Sequence, residues 1–272
     1  MSVEFQWSEA EMDALLASCE REEVTELIHR YVPIGSRVLE AGCGAGRYVK
    51  FLTSQGYEIE GLELSAQTVK MVNGAWPELT VVQGDVLSMP YPDNTFDAIM
   101  SLGVVEHFIP GPRAPLVEML RALKPGGIAV VTVPCNNTVR RVKRALWIRE
   151  MSSLRVSVRG IVRRGPVLPN RLDRKYIYPV DPAVGTFFEY WMTPNQFAEE
   201  VTAAGFEIIE QLPTAIMDGV YHELNPWKSL VRFADWQFQA TNFAERLNDA
   251  LAKHPFAHSH MQAIVARKPD MH

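Results

Sequence analysis

The residues best placed to do chemistry are Glu40, Gly42, Cys43, Gly44 and Gly46, in the run Arg37-Val38-Leu39-Glu40-Ala41-Gly42-Cys43-Gly44-Ala45-Gly46-Arg47. Glycine alternates at 42, 44 and 46, so the backbone can turn tightly and a ligand can lie against the main chain. A short apolar strand precedes the loop and a helix follows it. The helix start offers unpaired N–H groups and the positive end of its dipole. That chemistry is nucleotide binding. The spacing departs from the dinucleotide fingerprint G-x-G-x-x-G: the third glycine comes one residue early. Arg47 then stands where that fingerprint needs glycine for close helix–strand packing. Glu63 lies 21 residues beyond Gly42. An acid at this place in a doubly wound sheet accepts hydrogen bonds from ribose hydroxyls, and Leu64 would then lie against the base. His107 after Glu106, and His222 before Glu223, are the candidate acid–base groups, because an imidazole exchanges protons near neutral pH. The alternative for Glu106 and His107 is structural: they hold a loop by hydrogen bonds.

Positioning these groups requires alternating strands and helices. Arg37–Glu40 reads as the first strand, 47–55 as a crossover helix ended by Gly56, and 57–63 as the second strand. Ser65 caps a helix to about Ala75. Strands follow at 79–83 and 96–102, then a helix from Pro112 to Leu123 and a strand at 128–133. Thr193-Pro194-Asn195-Gln196 is a capping box with Pro at the first helical position. A sixth strand is expected at 207–210 and a closing one at 261–267. Residues 233–251 read as helical by their apolar spacing. Ahead of the first strand, 1–34 reads as a helical lead-in with a capping box at Ser8 and Glu11.

The run Glu40-x-Gly42-x-Gly44-x-Gly46 resembles motif I of the class I S-adenosylmethionine-dependent methyltransferases. Phe96-Asp97-Ala98-Ile99 followed by Glu106-His107, and Leu123-Lys124-Pro125-Gly126-Gly127 before a strand, resemble later marks of the same family. The resemblance covers 35–133 well and 187–211 and 260–268 loosely. It implies an α/β fold: a Rossmann-like doubly wound seven-stranded sheet, the last strand antiparallel, with helical and lid insertions. It also implies S-adenosyl-L-methionine as cofactor and S-adenosyl-L-homocysteine as product. Asp85 would accept a bond from the adenine amino group while the Val86 N–H serves the ring. Leu102 and Gly103 would meet the methionine part. Trp7 or Tyr31 would cover the cofactor, the alternative being that both only pack against the sheet.

The 272-residue chain is 47% hydrophobic and 22% charged, ordinary values for a globular protein. No N-terminal signal segment or apolar run of spanning length is visible. Three scattered cysteines, Cys19, Cys43 and Cys135, fit a reducing cytoplasm better than a disulfide or zinc framework. No metal is expected: His254, His258 and His260 lack partner carboxylates. The net charge of −5 is uneven, because 139–175 holds 12 Arg or Lys against Glu150 and Asp173. That basic stretch interrupts the α/β rhythm. The expected organisation is a helical cap at 1–34, a cofactor-binding core at 35–135, a basic lid at 136–190, and the rest of the core at 191–272 with an aromatic insertion at 213–258. Arg140, Arg144 and Tyr190 are the candidate acceptor-binding residues, the arginines for an anionic group and Tyr190 as an aromatic wall. Charge balance with the acidic remainder, or a homo-oligomer contact, would equally use the basic stretch. The expected partner is a small-molecule methyl acceptor rather than nucleic acid: the Asn/Asp-Pro-Pro-aromatic signature of amino-directed nucleic-acid enzymes is absent. A protein or nucleic-acid methyltransferase, or a non-catalytic cofactor-binding protein, remains the alternative.

Overall fold

The computed structural model describes residues 15–109, 111–143, 189–224, 230–234, 237–254 and 256–270. Seven strands form one sheet: β1 (Arg37–Ala41), β2 (Glu58–Glu63), β3 (Val81–Gln83), β4 (Phe96–Leu102), β5 (Leu123–Pro134), β6 (Glu207–Thr214) and β9 (Met261–Arg267), in the order β3-β2-β1-β4-β5-β9-β6. The neighbours from β3 to β5 pair in parallel, and β9 runs antiparallel to both β5 and β6. The last strand is therefore the reversed strand of this sheet, as expected, and the fold slots it between β5 and β6. Chain order reverses between β1 and β4, the switch point at which such sheets open a crevice beyond their carboxyl ends.

Strand periodicity builds two cores. Leu39, Ile99, Val131 and Ile264 face one layer, where they meet Leu116, Met119 and Phe197. Val38, Met100, Val130 and Val265 face the other, against Leu27, Ile28, Val49, Leu52 and Val72. The second layer is made by α1 (Glu23–Tyr31), α2 (Arg47–Ser54) and α3 (Ala66–Ala75), and the first by α4 (Arg113–Ala122) and α5 (Pro194–Ala203). The two caps read from sequence hold: Ser65 Oγ accepts from the Thr68 N–H, and Thr193 and Gln196 close a reciprocal box.

Four expectations need correction. The lead-in helix is broken: 15–18 is helical, Cys19–Arg21 is a 3-10 turn, and Glu22 is extended before α1 begins. Its carboxylate is drawn to Arg47, which the local pattern could not register. The Ser8–Glu11 box and Trp7 lie outside the described residues. β5 begins at Leu123 rather than 128, because Leu123 pairs with Phe96 and a register shift absorbs the glycine turn. β6 runs on to Thr214, since β9 pairs along its whole length. The expected helix at 233–251 is a hairpin, β7 (Val231–Ala234) with β8 (Gln237–Ala240), followed by α7 (Asn242–Ala252) capped by Thr241. Residues 236–240 alternate apolar and polar with period two, which fits a strand better than a helix. Between β6 and the hairpin lies α6 (Ile216–Glu223).

Candidate active site

The carboxyl ends of β1, β2 and β4 open onto a cleft of about 290 Å³, the scale of a small-molecule site. At its floor the glycine loop is pinned to β2: the Gly42 and Cys43 N–H groups both donate to Leu62 O, at 2.8 and 3.0 Å. Gly42, Gly44 and Gly46 all adopt positive φ (84°, 51° and 73°), which glycine takes without a steric cost. A Cβ on Gly42 would also sit 2.6 Å from Val104 Cγ2. The small residue that the fingerprint wants after the loop is supplied from elsewhere. A Cβ on Gly61 of β2 would sit 2.6 Å from Cys43 Sγ and 3.0 Å from Val49 Cγ2. Gly61 thus allows the close helix–strand approach that Arg47 cannot.

The expected nucleotide-binding residues gather here. Glu40, Gly42, Cys43, Gly44, Glu63, Leu64, Asp85, Val86, Leu102 and Gly103 all line the cleft. Gly46 does not; it starts α2, and a Cβ there would press on Val72 Cγ1 at 2.9 Å. The Glu63 carboxylate is aimed by two backbone donors, Gly44 N–H to Oε2 at 3.0 Å and Ser65 N–H to Oε1 at 2.9 Å. Each oxygen keeps a lone pair for a further donor. Asp85 Oδ1 accepts from the Leu87 N–H at 2.9 Å, which fixes the carboxylate at the cleft wall. Glu40 is buried, and its Oε2 has no hydrogen-bond partner among the described residues. Burial pushes its carboxyl up to about 8, against the opposing pull of Arg47.

His107 lines the opposite wall with Val104 and Phe108. It closes a 3-10 turn, Val105–His107, with Nε2 3.9 Å from Glu106 Oε1. Glu106 is buried behind it, held well above the usual carboxylate range by burial first and by Glu189 in addition. The Tyr190 N–H donates to Glu106 O at 3.1 Å, so the buried Tyr190 braces this turn rather than lining the cleft. Sequence reasoning passed over Leu15, Ala45, Arg47, Gly84, Val104 and Phe108 as lining residues. Of these, Arg47 had a signal: a cation at a helix N-terminus opposes the dipole.

The other candidates sit elsewhere. Arg140 is buried: it donates to Glu223 Oε1, Cys135 O and His260 Nδ1, each at 2.6 Å, and lies 4.3 Å over the Trp191 ring. Glu223 also accepts from Lys143 Nζ at 3.1 Å. Although burial raises it, these two cations hold its carboxyl below the usual range. Glu223 is thus engaged by Arg140 and Lys143. His222 stacks on His260 at 4.7 Å, outside the cleft. Burial, then Arg140, drives His260 down to about 3, so it stays neutral. Tyr31 does not reach the cleft: its hydroxyl donates to Glu210 Oε2 at 2.7 Å. Arg144 lies outside the described residues.

A glycine loop pinned to β2, a strand-end glutamate on β2, an aspartate after β3 and an apolar wall after β4 define a class I S-adenosylmethionine-dependent methyltransferase domain. Residues 39–131 match the family described as "Methyltransferase domain". The chain is 26% identical to the 2-methyl-6-phytyl-1,4-hydroquinone methyltransferase of Synechocystis sp., over 75% of this chain and 58% of that one. It is 29% identical to the tRNA (carboxymethyluridine(34)-5-O)-methyltransferase of Schizosaccharomyces pombe, over 69% of this chain and 80% of that one. The fold matches a SAM-dependent methyltransferase from Methanosarcina mazei with a TM-score of 0.58 at 16% identity, covering 90% of this chain and 98% of that one. The chain spans 40% to 58% of the length of several curated relatives it matches.

The residues present fit the cofactor of that class. The unpartnered, buried Glu40 Oε2 suits a cationic group, and the twice-anchored Glu63 suits ribose hydroxyls. Among the described residues no group of three or more His, Cys, Asp or Glu could hold a metal ion. No described helix is long and apolar enough to cross a membrane.

Proposed function

We propose that this protein transfers a methyl group from S-adenosyl-L-methionine to an O, N or C atom of a small molecule. The observation that carries this reading is the Glu63 carboxylate, held by Gly44 and Ser65 at the rim of a cleft that Glu40 and Asp85 also line. Bound here, the cofactor supplies an electrophilic sulfonium methyl that needs no further activation. Glu63 would hold the ribose, Asp85 and the Val86 N–H the adenine, and Leu102 and Gly103 the methionine part. The protein's remaining task is to align the acceptor and exclude water. Val104, Phe108 and Leu15 make that part of the wall apolar. His107, on the same wall, is the group we assign to take a proton from a hydroxyl or amine acceptor. A carbon acceptor would need it differently or not at all.

Apolar walls favour an acceptor of lipid-precursor type, and a relative named for a phytyl hydroquinone supports the same class. An RNA acceptor is the second reading, favoured by the tRNA methyltransferase relative and by the local excess of cations at 139–175. Incubation with methyl-labelled S-adenosylmethionine and a fractionated cell extract separates them. Label is expected in the small-molecule organic fraction. Label that is ribonuclease-sensitive and co-purifies with tRNA would replace the first reading by the second. Absence of S-adenosylhomocysteine binding in calorimetry would remove both.

A further inference from the structure

Glu106 is a buried acid to which neither the sheet nor the nucleotide site gives a task. Three acids line the cleft, Glu40, Glu63 and Asp85, at or just past the ends of β1, β2 and β3. The wall after β4 has none: it is Leu102, Gly103, Val104, His107 and Phe108. Glu106 stands behind that wall and is 2% exposed. A Cβ built on Gly103 would lie 3.6 Å from Glu106 Oε1, so the carboxyl is one glycine away from the space that Gly103 lines. The Nε2 of His107, on the wall itself, is 3.9 Å from the same oxygen. Oε2 has no hydrogen-bond partner among the described residues. A buried, unpaired carboxyl opposes folding when ionised.

Few charges face it. On its own turn there is His107, and ahead of α5 there is Glu189, which accepts from the Trp191 Nε1–H. α4 packs against the turn, but its Arg113 is spent on Glu200 at 3.0 Å. The titratable residue of β5, Lys124, is at the far end of that strand on Asp97. β9 reaches Gly103 with the neutral Met261. Burial, eased by its own N–H and reinforced by Glu189, holds the Glu106 carboxyl well above its ordinary range, so it carries its proton at neutral pH. A cation arriving within a few ångströms favours the ionised form instead. S-adenosylmethionine carries such a cation, its sulfonium, and S-adenosylhomocysteine does not.

We propose that Glu106 is the proton-exchanging counter-ion of the methyl donor: its carboxyl gives up a proton when a sulfonium seats against Gly103 and regains one when that charge is spent. The proposal rests on the cleft being the S-adenosylmethionine site. The proton count balances. In methyl transfer the sulfur–methyl bond breaks with its electron pair left on sulfur, the methyl bonds to the acceptor, and the acceptor gives up one proton. Glu106 recovers its proton affinity at that moment, with His107 between it and the cleft.

Binding alone tests this. Calorimetry at about pH 7.5 in phosphate and in Tris, whose ionisation enthalpies differ, counts the protons exchanged. With S-adenosylmethionine, wild type is expected to release up to about one proton more than Glu106→Gln, the limit set by a single carboxyl. With S-adenosylhomocysteine the two proteins should exchange equal numbers. Comparing proteins rather than ligands cancels the ligand's own amine. Glu106→Gln should lose about 10-fold in affinity for S-adenosylmethionine, the weight of one pKa unit. It should lose less than about 2-fold for S-adenosylhomocysteine, which also shows that its cleft is folded. As pH rises from about 6.5 to 8.5, the preference for S-adenosylmethionine over S-adenosylhomocysteine should climb more in wild type than in the variant, because deprotonation and cation binding favour each other. Glu106→Met, apolar and of similar length, should repeat these results if the amide does not fold. Equal proton release by wild type and variant, or equal losses for the two ligands, would overturn the counter-ion and leave the cofactor site standing. If wild type binds neither ligand, the methyltransferase reading fails first and Glu106 loses its role with it.

Discussion

Burial holds the Glu40 carboxyl near 8 against an ordinary value of 4.5, so ionising it in the ligand-free protein opposes folding. The folded state binds the proton more tightly than the unfolded chain. Stability is therefore greatest below the ordinary value and declines as pH rises through about 8. Each unit corresponds to about 1.4 kcal/mol, so the cost at alkaline pH is on the order of a few kcal/mol. A cationic ligand group beside Oε2 reverses the preference. Glu40→Gln should thus melt several degrees higher than wild type at pH 8 in the absence of ligand, yet bind S-adenosylhomocysteine more weakly. Wild-type affinity should rise from pH 6 toward 8 by more than that of the variant, which isolates Glu40 from titration of the ligand's own amine. Glu63 makes the opposite case, since its backbone donors are already in place. Glu63→Ala removes the acceptor we propose for the ribose and frees the Gly44 N–H. Loss of charge-assisted bonds of about 1.5–3 kcal/mol each predicts at least a 10-fold rise in Kd by calorimetry. These acids were legible because glycine spacing and strand ends locate them. Arg47 was read only as a misfit to a fingerprint, because its partner Glu22 lies 25 residues upstream and only the fold brings the two together.

At the scale of elements, the glycine loop keeps its shape because β2 yields space to it. Gly61→Ala would place a methyl group 2.6 Å from Cys43 Sγ and 3.0 Å from Val49 Cγ2. Overpacking of this kind costs about 1–3 kcal/mol. Its first effect should be to push Cys43 and the Gly44 N–H away from Glu63. Gly61→Ala is therefore expected to lower Tm and weaken S-adenosylhomocysteine together. Cys43→Ala in the same chain removes the sulfur and should restore part of both losses, a coupling that a double-mutant cycle reads directly. Additive losses would mean that Val49 rather than Cys43 carries the clash. The parallel strands and the two helix caps were readable because their signals are local: buried apolar runs, Ser65, and Thr193 with Gln196. The helix expected at 233–251 holds from Asn242 on, while its first part is strand, because the period-two alternation at 236–240 is short and the pairing of β7 with β8 secures it.

Over the whole molecule, the cofactor half of the sheet is organised by sequence-local devices and the far half by one long-range knot. Arg140 joins the end of β5 at Cys135, the approach to β9 at His260, the end of α6 at Glu223, and the Trp191 ring. The sequence shows it only as one cation of twelve in a basic run, which is why it read as a ligand-binding group. The fold turns it into a buried ion pair. Removing Arg140 leaves the buried Glu223 carboxylate with the exposed Lys143 as its remaining cation, so the cost falls toward the lower end of the about 3–5 kcal/mol of a broken buried pair. Arg140→Met is therefore expected to lower Tm by several degrees. Glu223→Gln added to it removes the stranded charge and should recover a good part of that loss. Because the knot lies outside the cleft, S-adenosylhomocysteine affinity measured well below the melting temperature should stay within about 3-fold of wild type in both variants. A 10-fold loss of affinity in Arg140→Met with unchanged Tm would instead place Arg140 in the ligand site after all. The Met–Gln double variant separates the two cases further, since neutralising Glu223 repairs a stranded charge and cannot replace a missing guanidinium at a ligand.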